Sequence, residues 1–174
     1  ERAGPVMRNA QVLVGPDGNP VPLYREVARI GREFRQASAA IAGTAPASRV
    51  AIVTTYDSRW AIDFQRQSAD YRQLQVLLDD YRPLEDLTHS VDIVSASAPL
   101  ARYQVVIAPG LNVIPEALGR HLAAYVRGGG HLILGPRSGM KDQYDRLDVR
   151  RQPGPLVGVL GGRVQQYYAL DAPV

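Results

Sequence analysis

The chain has 174 residues, is 45% hydrophobic and 21% charged, and contains no Cys. That composition belongs to a folded globular domain; it excludes a disordered tract, a disulfide framework, a thiol nucleophile and a thiolate metal site. The formal charge is +3, and 20 basic residues include one Lys, Lys141, which leaves 19 Arg. The arginines alternate with acids (Arg25-Glu26, Arg32-Glu33, Asp145-Arg146) instead of clustering as a phosphate-tracking surface requires, so no nucleic-acid partner is expected.

In chain order, "QVLV" (11–14) reads as a short strand, and "GPDGNP" as a turn with Asp17-Gly18 at its tip. Leu23, Val27, Ile30 and Phe34 follow at spacings of 4, 3 and 4, which predicts an amphipathic helix over 22–42 that starts at Pro22 and stops at Gly43. "GTAPAS" (43–48) reads as a linker, and a domain boundary is placed near 46, giving segments 1–45 and 46–174. From Arg49 the rhythm alternates. "RVAIVTT", "VDIVSA", "YQVVIAP" and "HLILG" read as strands, and "RVQQYY" (163–168) as a fifth. Strands 50–54, 104–108 and 132–135 are expected at the buried centre. Helices are predicted over 68–88, with Leu74, Leu77, Leu78 and Tyr81 on one face, over 115–127, and briefly over 155–160. Pro83 is expected to kink or restart the first of these, and Gly128 to Gly130 to end the second. Strand–helix alternation predicts an α/β, flavodoxin-like three-layer sandwich with a mostly parallel five-stranded sheet.

The loop "TTYDSRW" (54–60) carries hydroxyls where flavodoxins bind phosphate, but lacks their glycine, and no G-x-G-x-x-G fingerprint occurs; no flavin or other cofactor is expected. Trp60 in that loop has two readings, a packing residue over the sheet or an aromatic anchor at a subunit contact, with Asp57 beside it. Ser138 stands where related folds place a nucleophile, yet Pro136 and Met140 occupy the glycine positions of G-x-S-x-G, and His89, His121 and His131 are poorly placed as bases. Those histidines have no metal-ligand spacing. Asp57, Asp63, Asp79, Asp80, Glu116, Asp142 and Asp145 offer pairs for glycoside hydrolysis, but helix surfaces and first turns account for them. In "GPRSGMKD" (135–142), Gly135, Pro136 and Gly139 are expected to shape a turn, and Arg137, Lys141 and Asp142 to make ionic contacts within the domain or with another one.

"VAIVTTYDSRWA", "YQVVIAPGLNVIPEAL", "LAAYVRGGGHLILGPRSGMKD" and "GPLVGVLGGRVQQY", in this order, resemble the trimerisation domain of glycoside hydrolase family 42 β-galactosidases. The resemblance covers about residues 49 to 170; upstream, "RAG" (2–4) and "YREVARIGREF" (24–34) resemble the last strand exit and final helix of those enzymes' catalytic (β/α)8 barrel. It implies a class I glutamine amidotransferase-like fold without the Cys nucleophile. It implies a non-catalytic assembly domain, with self-association as a trimer and the parent's barrel as partners. Both catalytic glutamates of the family would lie before Glu1. Val6 and Asn9 stand where the family has two galactose contacts, which bears on the parent's sugar specificity. The alternative is a free-standing amidotransferase-like or serine-hydrolase-like enzyme. With Glu1 in place of an initiator Met, the chain is expected to be an excised or processed piece. No run approaches the roughly 20 apolar residues of a membrane span and no signal peptide opens the chain, so a cytoplasmic location without a membrane partner is expected.

Overall fold

The structure, a computed structural model, describes residues 13–169. The sugar-contact positions Val6 and Asn9, the stretch "RAG" and the first half of the predicted strand 11–14 lie outside the described residues. The chain divides into two compact units, Glu1–Ala45 and Pro46–Val174.

In the first unit a bridge between Val14 and Pro20 closes the turn around Asp17, whose carboxylate accepts from Asn19 N and Asn19 Nδ2. Helix α1 (Pro22–Ile41) follows, with proline in its first turn, where the missing N–H costs no hydrogen bond. It buries none of its residues, and Leu23, Val27, Ile30 and Phe34 are all exposed.

The second unit holds a parallel sheet of β1 (Val50–Val53), β2 (Val91–Val94), β3 (Val105–Ala108) and β4 (His131–Leu134), in the order β2-β1-β3-β4. Val50 pairs with Val91 on one side and Val105 on the other, and Val105 pairs with His131. Alternate side chains of the central strands serve opposite faces. Ala51, Val53, Val106 and Ala108 join Leu118, Leu122 and Tyr125 of helix α4 (Glu116–Arg127). Val50, Ile52 and Ile107 join Leu77, Leu78 and Tyr81 of helix α3 (Gln73–Thr88). Cover on both faces explains why β1 is an unbroken apolar run. Each Val, Leu or Ile among them contributes about 1.5–3 kcal/mol when fully buried.

The sheet has four strands where the sequence reading expects five. Residues 163–168 form no strand; they follow Gly161 at φ +72, and Val164 N donates to Gln152 O, a loop carbonyl, instead of to a sheet edge. β4 is correspondingly an edge strand, not part of a buried centre: Leu132 and Leu134 pack inward while Ile133 is 53% exposed. An apolar run does not distinguish one covered face from two.

Two further expectations change. "TTYDSRW" is not a loop; after Thr55 it becomes helix α2 (Tyr56–Phe64), capped by the Thr55 hydroxyl, which accepts from Ser58 N at 3.1 Å. The predicted helix 68–88 begins only at Gln73, with Leu74 exposed, and it is not restarted at Pro83. Pro83 lies on the exposed side of α3, where a carbonyl that loses its intrahelical donor can turn to solvent. A 3-10 turn (Gly154–Leu156) and helix α5 (Val157–Leu160) complete the described elements.

Candidate functional site

The loops that leave β1, β3 and β4 lie beyond the carboxyl ends of the strands, where α/β folds carry their sites. The loop after β4 is held by its backbone. Gly135 N donates to Ala108 O at 2.9 Å, and a Cβ on Gly135 would lie 3.0 Å from Pro109 Cα and Gly110 N. Gly139 N donates to Leu111 O at 2.9 Å. Gly139 has φ +63, and a Cβ there would lie 2.3 Å from Pro153 O, so no other residue fits. Lys141 N donates to Asn112 O and Ile114 N to Lys141 O, both at 3.0 Å, which extends the pairing of the two loops past the sheet.

Side chains complete this corner. Ser138 is buried; its hydroxyl accepts from Leu111 N at 3.2 Å and points its proton at Gly135 O at 2.8 Å. Asn112, fully buried, donates through Nδ2 to Arg137 O at 3.0 Å. Lys141 is 4% exposed and donates to Gln65 Oε1 at 2.8 Å and Asp145 Oδ1 at 2.9 Å. Asp142 accepts from Tyr144 N at 2.8 Å and pairs with Arg146 Nη2 at 2.9 Å. Partial desolvation of Asp142 favours its neutral form, but the hydrogen bonds from Arg146 and Tyr144 outweigh it and hold the carboxyl below its usual range.

Arg137 is arranged differently from its neighbours. It adopts φ +61, a conformation that costs a non-glycine residue about 1–2 kcal/mol. Its Nη2 donates to Gln65 O at 3.3 Å, and its guanidinium carbon lies 5.6 Å from the Tyr71 ring centre, within cation–π range. Tyr71 in turn donates its hydroxyl to Pro136 O at 3.1 Å; burial pushes its pKa up, against the opposing effect of Arg137. Among the described residues no carboxylate pairs with Arg137, and its Nε and Nη1 make no hydrogen bond.

The structure thus brings Arg137, Ser138, Lys141 and Asp142 into one corner. Asp57 and Trp60 lie on α2, which borders it: Asp57 is exposed in the first turn, and Trp60 is 63% exposed, so Trp60 does not pack over the sheet. His121 Nε2 lies 3.0 Å from Ala98 O, His131 opens β4, and His89 caps α3 in the left-handed region. The Ser138 hydroxyl is spent on backbone. Among the described residues no group of three or more His, Cys, Asp or Glu is placed to hold a metal ion. What the corner does is tie strand-end loops together.

Three participants escape sequence reading. Gln65, Tyr71 and Asn112 carry no motif, and the first two lie more than sixty residues from the side chains they meet. A second cluster is equally silent: Arg150 Nη2 bridges Asp148 Oδ2 and Glu116 Oε1, both at 2.6 Å, and its hydrogen bond holds the Asp148 carboxyl below the usual range.

Comparisons with known proteins agree over most of the chain. The family model described as the beta-galactosidase trimerisation domain matches residues 48–173. Beta-galactosidase Bga of Halorubrum lacusprofundi is 36% identical over 154 residues, 88% of this chain and 22% of that protein. Beta-galactosidase BgaB of a Geobacillus species is 32% identical over 146 residues, 83% of this chain and 22% of that protein. The solved beta-galactosidase of Halorubrum lacusprofundi superposes with a TM-score of 0.69 at 34% identity, covering 91% of this chain and 23% of that one. The chain therefore spans about a fifth of the length of these relatives. With its parallel α/β sheet and the match over residues 48–173, the chain belongs to the beta-galactosidase trimerisation domain family.

Proposed function

We propose that residues 46–174 are the assembly domain of a family 42 β-galactosidase-like glycoside hydrolase, and that residues 1–45 are the end of its catalytic barrel. The domain joins three copies and leaves hydrolysis of terminal β-galactosides or related sugars to parts of the parent outside this chain. The carrying observation is the family match over residues 48–173, in a chain that spans 22% of its β-galactosidase relatives. The strand order β2-β1-β3-β4 supports a flavodoxin-like, amidotransferase-like sandwich short of one strand. The exposed apolar face of α1 supports a helix whose cover, the barrel, is not in this chain. No helix among the described residues is long and apolar enough to cross a membrane, and the parent is read as cytoplasmic.

The test is direct. The isolated chain is expected to release no nitrophenol from nitrophenyl β-galactoside above buffer, while the full-length parent does. Turnover by the chain alone that vanished in Asp142→Asn or Glu116→Gln would overturn the reading.

A further inference from the structure

Arg137 is a buried cation without a counter-charge among the described residues. It is 9% exposed, no described carboxylate pairs with it, and its Nε and Nη1 are buried without an acceptor. Gln65 O and the Tyr71 ring face the guanidinium, and neither carries a full negative charge. A buried charge of this kind is costly unless an anion meets it.

Arg137 borders two cavities. One, of about 640 Å³, carries Asp70 and Asp79 and no further cation. The other, of about 580 Å³, lies between the end of α2 and the loop after β4, and adds Arg66 and Lys141 to Arg137 with Asp145 as its one carboxylate. Lys141 already holds Asp145 Oδ1 at 2.9 Å. Arg66 Nε stops 4.0 Å from Asp63 Oδ1, beyond hydrogen-bond reach. Three cations against one carboxylate leave two positive charges over on these walls.

That surplus matches a dianion better than a monoanion. Guanidinium groups suit phosphate oxygens, to which they donate charge-assisted hydrogen bonds. The volume falls in the range of small-molecule pockets, and Met140 and Leu147 give it apolar wall. Its walls come from segments that follow β1 and β4 beyond their carboxyl ends, the end of a doubly wound sheet at which ligands bind. Among the lining side chains Arg66, Gln67 and Leu147 are exposed, so side chains and not strands have to move for an anion to reach the guanidinium.

We propose that the cavity between the end of α2 and the loop after β4 binds the phosphate group of a small molecule on Arg137 and Arg66. Arg137 donates through Nε or Nη1, and Arg66 closes from the exposed side. Lys141 stays on Asp145 and contributes charge without contact, while Met140 and Leu147 meet the organic part of an ester. The proposal goes beyond the assembly reading and does not depend on it.

The experiment is calorimetric titration of the full-length parent at constant ionic strength in chloride, with inorganic phosphate, phenyl phosphate and benzoate as probes. Phenyl phosphate is expected to bind at one per chain, at least tenfold tighter than benzoate, and to raise the melting temperature as a ligand of the folded state does. Inorganic phosphate binding as tightly as phenyl phosphate identifies free phosphate as the occupant; weaker binding identifies an ester. Arg137→Gln is expected to weaken phosphate binding at least tenfold. Arg66→Gln, at an exposed side chain, keeps the test decisive if Arg137→Gln disturbs the fold; it is expected to weaken binding severalfold with the ligand-free melting temperature unchanged. No saturable phosphate binding by wild type, binding of benzoate as tight as that of phenyl phosphate, or affinity unchanged in Arg66→Gln or in a folded Arg137→Gln overturns the proposal.

Discussion

Asp92 shows how a single residue fastens an end of the sheet. It accepts from Tyr103 Oη at 2.7 Å and Ser48 Oγ at 2.8 Å, and it pairs with Arg102. The Tyr103 hydroxyl first, then Ser48 and Arg102, hold its carboxyl below the usual carboxylate range against partial desolvation. A depressed folded pKa means that the folded state binds fewer protons near that value, so the stabilisation is present above it and is lost as pH falls through the folded pKa. Asp92→Asn is expected to cost about 1–2 kcal/mol at neutral pH after solvent screening. Thermal melts from about pH 7 down to 3 should show the gap between wild type and variant closing below about pH 4; a constant gap would mean that charge is not the cause. Sequence reading found the corner after β4 because glycine, proline and charge crowd together at a strand end. It could not supply the partners: Gln65 and Tyr71 reach Lys141 and Pro136 only once helices α2 and α3 have packed.

At the scale of elements, β1 and β3 were legible as continuous apolar runs, and α1 and α4 as helical periodicities closed by proline and glycine. The edges were less legible. β4 reads like a central strand because Leu132, Ile133 and Leu134 are all apolar, although one side of it has no neighbour. Helix α2 is hard to read because its aromatic residues point outward while Ala61 and Ile62 alone carry its buried apolar side, which blurs the usual signal; Thr55 with Ser58 three residues on, and aromatics at four-residue spacing, are the available clues. Burial sets which position of β3 is the most sensitive. Val105 is only partly buried, whereas Val106 is fully buried against the α4 face. Val106→Asp is expected to destabilise by upwards of about 3 kcal/mol, as an unpaired buried charge does. Val105→Asp should cost measurably less, and urea titrations of the two variants give the ranking.

For the whole molecule, the surface of α1 governs behaviour in solution. Leu23, Val27, Ile30 and Phe34 form one exposed apolar stripe. At high concentration the isolated chain is expected to self-associate through it, and Ile30→Glu to shift the sedimentation profile towards monomer; identical profiles would remove the stripe from the account. A different consequence follows from Lys141. The positive charge of this chain is carried almost wholly by guanidinium, and its single lysine is 4% exposed and held by Gln65 and Asp145. Acylating reagents, aldehydes and lysine-modifying enzymes therefore meet one side-chain amine, sealed inside the folded corner. How fast that amine is labelled becomes a clock for how often the corner opens.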